Sequence, residues 1–127
     1  MADQIEKTYM IDASPDKVWA ALTTPVEIDG WGAGPAKMST NKGEEFTLWG
    51  GDVYGKNLEV KAPNYLRQEW SSGPWQTPSI VEFWLVDEGG QTKIRLTQNG
   101  VPEEEVDDVD NGWDEYYLGA IKEYLEL

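Results

Sequence analysis

The feature that most constrains this chain is a change of hydrophobic period. From about residue 36 to residue 99, apolar side chains recur at every second position in short runs broken by glycine, proline and asparagine. From Trp113 to Leu125 they recur every three or four residues. The first pattern predicts an antiparallel meander with one buried face, and the second predicts an amphipathic helix. A sheet with one apolar face needs a cover, and the terminal helix supplies one. The expected fold is therefore α+β, a curved antiparallel sheet wrapped around a long C-terminal helix.

The alternation can be followed strand by strand. Ile5, Lys7, Tyr9 and Ile11 share one parity of a first strand. Six further strands are expected: a weak one at Lys37–Thr40, then Glu45–Trp49, Val53–Lys61, Tyr65–Ser71, Ser79–Asp87 and Thr92–Gln98, making about seven in all. Phe46 pairs with Leu48 on one face, Leu66 and Gln68 with Trp70, Val81 and Phe83 with Leu85, and Ile94 with Leu96 and Gln98. Glu88-Gly89-Gly90-Gln91 reads as a hairpin turn. On Val53–Lys61 the same parity would aim Tyr54, Lys56 and Leu58 inward; a bulge at Gly55 would return Lys56 to solvent, and an inward Lys56 would instead be an anion-binding candidate.

Two short helices should follow the first strand. Ser14 is placed as an N-cap with Pro15 at the first helical position, and Val18, Trp19 and Leu22 recur at helical spacing. Thr24, Pro25 and Glu27 then have the spacing of a capping box, which predicts one or two turns reaching Gly30. Glu103–Asp110 is strongly acidic and precedes the last helix, where carboxylates complement the positive end of the helix dipole. Gly112 and Gly119 lie inside that helix, which suggests a close approach of another element.

Composition removes several classes of chemistry. The chain has no cysteine and no histidine, so disulfides, thiolate nucleophiles and imidazole bases or ligands are excluded. The acidic stretch does not fit a calcium-binding loop: counted from Asp108, Gly112 falls at the fifth position instead of the sixth, and Gly119 stands where a bidentate glutamate belongs. Neither the phosphate-loop nor the dinucleotide fingerprint occurs. No metal or cofactor is expected. A net charge of −14 argues against nucleic acid and against an anionic membrane surface. With an acidic, polar start and no run of 18 apolar residues, the 127 residues are expected to form a single cytoplasmic domain, a monomer.

Four segments carry a resemblance: IDASPDKVWAALTTP at Ile11–Pro25, GGDVYGKNLEV at Gly50–Val60, the pair Glu69 and Trp70 with Trp75 after it, and GVPEEEVDDVDNGWDEYYLGAIKEYL at Gly100–Leu125. Together they resemble the activator of heat-shock protein 90 ATPase homologue family, in its C-terminal-domain type. The resemblance implies the helix-grip (START-like) fold shared with START lipid carriers, polyketide cyclases and the birch pollen allergen. It also implies a non-catalytic, co-chaperone-like or stress-related binding role, with a heat-shock protein 90-type chaperone as partner.

Two binding surfaces follow as candidates. In a helix-grip fold the space between sheet and helix holds either packed core or a ligand such as a small lipophilic molecule. The side chains facing it would be Trp31, Phe46, Leu48, Tyr54, Leu58, Gln68, Trp70, Val81, Phe83, Ile94, Leu96, Trp113 and Tyr117. Alternation describes a filled core and an open cavity equally. The second surface is the outer one, where Trp49, Trp75 and Trp84 would anchor a protein partner. A cyclase-like or hydrolase-like enzyme would instead need an inward polar group such as Tyr54 or Gln68, and no inward carboxylate pair supports that reading.

Overall fold

The computed structural model describes residues 5–73 and 75–126. In chain order the elements are β1 (Ile5–Ile11), α1 (Pro15–Thr23), α2 (Pro25–Trp31), β2 (Glu45–Leu48), β3 (Val53–Lys61), β4 (Tyr65–Ser72), β5 (Ser79–Glu88), β6 (Gln91–Asn99), α3 (Val106–Gly112) and α4 (Leu118–Glu126). A 3-10 turn at Trp49–Gly51 follows β2, and another at Glu103–Glu105 leads into α3. A π turn at Trp113–Tyr117 joins α3 to α4, with helical backbone on both sides.

The strands form one six-stranded antiparallel sheet in the order β1-β6-β5-β4-β3-β2. The meander runs from β2 to β6, and β1 is added beside β6, with Ile5 opposite Gln98 and Ile11 opposite Thr92. The sheet has six strands, not the seven expected. Lys37–Thr40 makes only the single bridge Lys37–Thr47, although Ala36 and Met38 beside it pack partly against the core.

Most inward faces follow the alternation. Phe46, Leu48, Leu66, Trp70, Val81, Phe83, Leu85, Ile94 and Leu96 are buried in one core together with Val18, Leu22, Ile28, Trp31, Trp113, Tyr117, Leu118 and Ile121. β3 departs from it. Asn57 faces Gln68 and is buried, and the register shifts between Asn57 and Glu59, so Leu58 is the extra residue of a bulge and is only half-buried. Upstream of this bulge Val53, Gly55 and Asn57 take the inner parity. Tyr54 is therefore turned outward, 41% exposed, and Lys56 is also exposed. Gly55 is itself in register, opposite Trp70, and not a bulge. A Cβ there would collide with the Glu69 carbonyl and lie 3.2 Å from the Phe46 ring.

The helices show which local signals operate. Ser14 caps α1, its Oγ accepting from the Lys17 N–H at 3.4 Å. The capping box at Thr24 does not form: Thr24 makes no side-chain cap bond, and the Glu27 carboxylate accepts from the Tyr124 hydroxyl at 3.0 Å. That bond ties α2 to α4, and Gly30 lets them approach, since a Cβ there would lie 2.8 Å from Tyr124 Oη. The glycines of the last helix serve other ends than a neighbouring element. A Cβ at Gly119 would collide with the Asp114 carbonyl of its own π turn, whereas one at Gly112 would meet nothing within 4 Å.

Candidate functional site

The centre of the core is aromatic. The Tyr117 ring, 2% exposed, lies 4.7 Å from Trp31, 4.6 Å from Trp113, 5.6 Å from Trp70, 5.9 Å from Phe83 and 6.4 Å from Trp49, centroid to centroid. Trp70 and Trp113 are 4.8 Å apart. Pairs of this kind add about 0.5–1.5 kcal/mol each beyond the area they bury. Burial pushes the Tyr117 phenol well above its usual range, so it remains a neutral hydroxyl.

On one side this cluster borders a cavity of about 280 Å³ between the start of β3, the end of β4 and the first half of the C-terminal helical segment. Its aromatic lining comes from Trp49, Trp70, Trp75, Trp113, Tyr116 and Tyr117, and Val53, Val109 and Gly112 complete the apolar wall. Asp52, Ser71, Ser72, Gln98 and Glu105 supply its polar atoms. Gly112 keeps the helix side low, because no side chain occupies the space above its Cα.

Two inward glutamines hold the tryptophans in place. Gln68 Oε1 accepts from the Trp70 indole N–H at 2.8 Å, and its amide donates to Asn57 Oδ1 at 2.9 Å. Gln98 Oε1 accepts from the Trp113 indole at 2.8 Å, while its amide donates to Ser79 Oγ at 2.9 Å. The Ser79 hydroxyl in turn donates to the Trp70 carbonyl at 3.1 Å. Trp75 donates to Glu105 Oε2 at 3.0 Å. Among the described residues no buried side-chain nitrogen or oxygen lacks a partner, so these glutamines are spent on positioning indoles.

Beside the cavity, α3 and the π turn are fastened to β1. Lys7 Nζ donates to Asp110 at 3.2 Å and to Asp114 at 2.7 Å, and the Tyr9 hydroxyl donates to Asp114 at 2.6 Å. Burial draws the Lys7 ammonium down, but its bonds to Asp114 and Asp110 outweigh that and hold it above its ordinary value. Burial and then the Asp114 carboxylate push the Tyr9 phenol up to about 12. Bonds from Lys7 and Tyr9 hold the Asp114 carboxyl below its ordinary value.

The expected site residues separate into three groups. Trp70, Trp113 and Tyr117 line the cavity. Trp31, Phe46, Leu48, Gln68, Val81, Phe83, Ile94 and Leu96 are packed core outside it, and Leu58 sits in the bulge. Tyr54 is on the outer side, its hydroxyl donating to the Gly73 carbonyl at 3.2 Å. With Glu45, Lys56 and Glu69 it borders a second hollow of about 300 Å³, which holds charges of both signs and lacks the enclosure by tryptophans.

Two of the three tryptophans expected on the outer surface belong to the cavity. Trp49 leaves β2 through the 3-10 turn at a φ of 51°, an uncommon conformation for a non-glycine residue, and this swings its ring out of strand parity toward Tyr117. Trp75 is in a loop, where parity has no meaning. Trp84 is on the outer face as expected, flanked by Tyr65 with ring centroids 5.7 Å apart and by the Arg95 guanidinium 5.3 Å from its centroid. Sequence reasoning missed Val109, Tyr116 and Gly112 as wall residues; they come from α3 and the π turn that follows it. Among the described residues no three metal-ligating side chains converge, and no helix is long and apolar enough to cross a membrane.

Comparison with known proteins fits this architecture. The family model described as Activator of Hsp90 ATPase homolog 1-like protein matches residues 12–126. The Hsp90 co-chaperone AHA1 of Saccharomyces cerevisiae is 32% identical over 94 residues, covering 71% of this chain and 26% of the relative. Among solved structures, CalU16 of Micromonospora echinospora is 29% identical with a TM-score of 0.84, covering 96% of this chain and 75% of that one. An HSP90 activator of Plasmodium falciparum, PFC0360w, shares the fold at 23% identity with a TM-score of 0.87, covering 97% and 96% of the two chains. The chain spans about a third of the length of the curated relatives it matches, 36% of one and 35% of another. With a helix-grip fold, and with the family model covering all but its first eleven residues and its last, the chain belongs to the Activator of Hsp90 ATPase homolog 1-like family.

Proposed function

We propose that this chain is a non-catalytic binding domain, and that its working site is the tryptophan-walled cavity at the start of the C-terminal helical segment. The observation that carries this reading is the cavity itself. A space of about 280 Å³ is walled by six aromatic side chains and adjoins the buried core. Ligand pockets begin at roughly this size and are walled mainly by apolar and aromatic groups. A small lipophilic molecule is the occupant those dimensions suit. The polar groups around it argue for binding over catalysis: Gln98 is consumed in holding Trp113, and the Ser72 hydroxyl donates to the Asp52 carbonyl and to no base.

A second reading, contact with a heat-shock protein 90-type chaperone, is favoured by the relatives, one of them named as an Hsp90 co-chaperone and another as an HSP90 activator. In that case the half-exposed rings of Trp49 and Trp75 at the rim, or Trp84 on the outer face, would be the anchors. A residue-resolved NMR titration separates the readings, with neutral lipophiles in one series and a chaperone middle segment in the other. The cavity reading expects saturable shifts of the Trp70 and Trp113 indole resonances with a lipophile. Silence there, with broadening at Trp49, Trp75 or Trp84 on adding the chaperone segment, overturns it in favour of the second.

A further inference from the structure

Within the cavity reading above, the chemistry of the walls specifies the charge of the occupant. We propose that the cavity accepts a small organic cation, an ammonium group carried on an apolar body. Three observations carry this. The indole N–H groups of Trp70, Trp113 and Trp75 are already donated to Gln68, Gln98 and Glu105, which leaves these rings to offer a ligand their π systems in place of donors. Ring faces attract cations through their quadrupole and repel anions.

The ionisable side chains among the described lining residues are the carboxyls of Asp52 and Glu105 and the tyrosines; no lysine or arginine borders the cavity. Glu105 is held at the wall by its bond from Trp75, so a negative charge is fixed beside an aromatic ring. The whole chain carries a net charge of −14, which raises the local concentration of cations and lowers that of anions around such an opening. A carboxylate or phosphate entering here would lose its water and find no charged donor, a cost of several kcal/mol. A neutral hydrocarbon would gain burial alone, whereas an ammonium also loses water but recovers that cost from the rings and the carboxylates.

The test compares three matched probes by NMR titration of the intact protein: benzyltrimethylammonium, its uncharged isostere neopentylbenzene, and phenylacetate. The cation is expected to bind about tenfold more tightly than the isostere, the scale of one desolvated cation–π contact, with shifts at Trp70 and Trp113. Phenylacetate is expected to give no saturable shift. In an Asp52→Asn, Glu105→Gln variant the ratio of cation affinity to isostere affinity, measured on that same variant, should fall severalfold. Both positions are at the surface end of the cavity, and thermal melting checks that the variant keeps its fold. Equal affinity for cation and isostere, or equal affinity for phenylacetate, overturns the charge assignment while leaving the cavity as a binding site. No saturable shift with any probe overturns both.

Discussion

The two halves of the C-terminal helical segment are covalently continuous and physically unlike. α4 is packed: Leu118 and Ile121 are fully buried, and the helix rests against α1, α2 and β1. Its far end is tied by the Tyr124–Glu27 bond, by Lys122 Nζ donating to the Met10 carbonyl at 2.7 Å, and by Glu126 accepting from the Asp12 N–H at 2.9 Å. α3 has no fully buried residue, and its Val109 and Gly112 face open cavity. What keeps it down is the partial packing of Val106 and Val109 against the core together with a peripheral bridge from Lys7 to Asp110. The π turn divides the two, carrying Trp113 and Tyr117 into the core at the point where packing gives way to space. One helix thus serves as a structural strut at one end and as the wall of a cavity at the other.

The largest effect should come from truncating one aliphatic side chain on each half. Ile121→Ala is expected to cost about 3 kcal/mol of unfolding free energy as a buried cavity is created, and Val109→Ala under about 1 kcal/mol because its neighbour is already empty. Urea denaturation of both variants checks this, and equal losses would end the distinction. A smaller contrast lies in the two glycines. Gly112→Ala should raise stability by up to about 1 kcal/mol through helix propensity, since a Cβ there meets nothing, while Gly119→Ala should lower it through collision with the Asp114 carbonyl. Paired thermal melts give the signs.

The smallest effect is the bridge to β1. Lys7→Met is expected to cost about 0.5–1 kcal/mol near neutral pH, as for other partly exposed ion pairs. Because the Asp114 carboxyl is held below its ordinary value in the folded state, its contribution is present above that value and is lost as pH falls through the lowered one. Lys7 and Tyr9 are held above theirs, so their contributions are present below the ordinary values and are lost as pH rises through the raised ones. The stability difference between wild type and Lys7→Met should accordingly be flat from about pH 5 to about pH 9 and shrink on either side. Denaturation midpoints across that range measure it.

What the sequence disclosed depended on whether burial followed a local period. Leu66, Val81, Phe83, Ile94 and Leu96 face inward because each belongs to an uninterrupted strand, where alternation alone fixes the face. The Ser14 cap was legible because it needs only neighbours three residues away. Tyr54 was misplaced because one bulge at Leu58 reverses every side chain upstream of it, and a bulge leaves little trace in composition. The Thr24 box failed because Glu27 has a tertiary partner in Tyr124, which no local spacing can reveal. The cavity was half legible. Trp70, Trp113 and Tyr117 were found by period, whereas Trp49 and Trp75 enter from a turn and a loop, where no period exists.

The pairing of β1 with β6 has a consequence for how the domain is made. Thr92–Gln98, the partners of the first strand, leave the ribosome some 87 residues after it. At about 5–20 residues per second, β1 waits on the order of ten seconds for its neighbour. The meander from β2 to β6 has local partners at every step and can assemble in the meantime, but α4, which closes over α1 and β1, emerges after all six strands. During biosynthesis the first strand therefore waits without its sheet partner, and charged residues such as Glu6 and Lys7 are of the kind that discourage a strand edge from pairing wrongly.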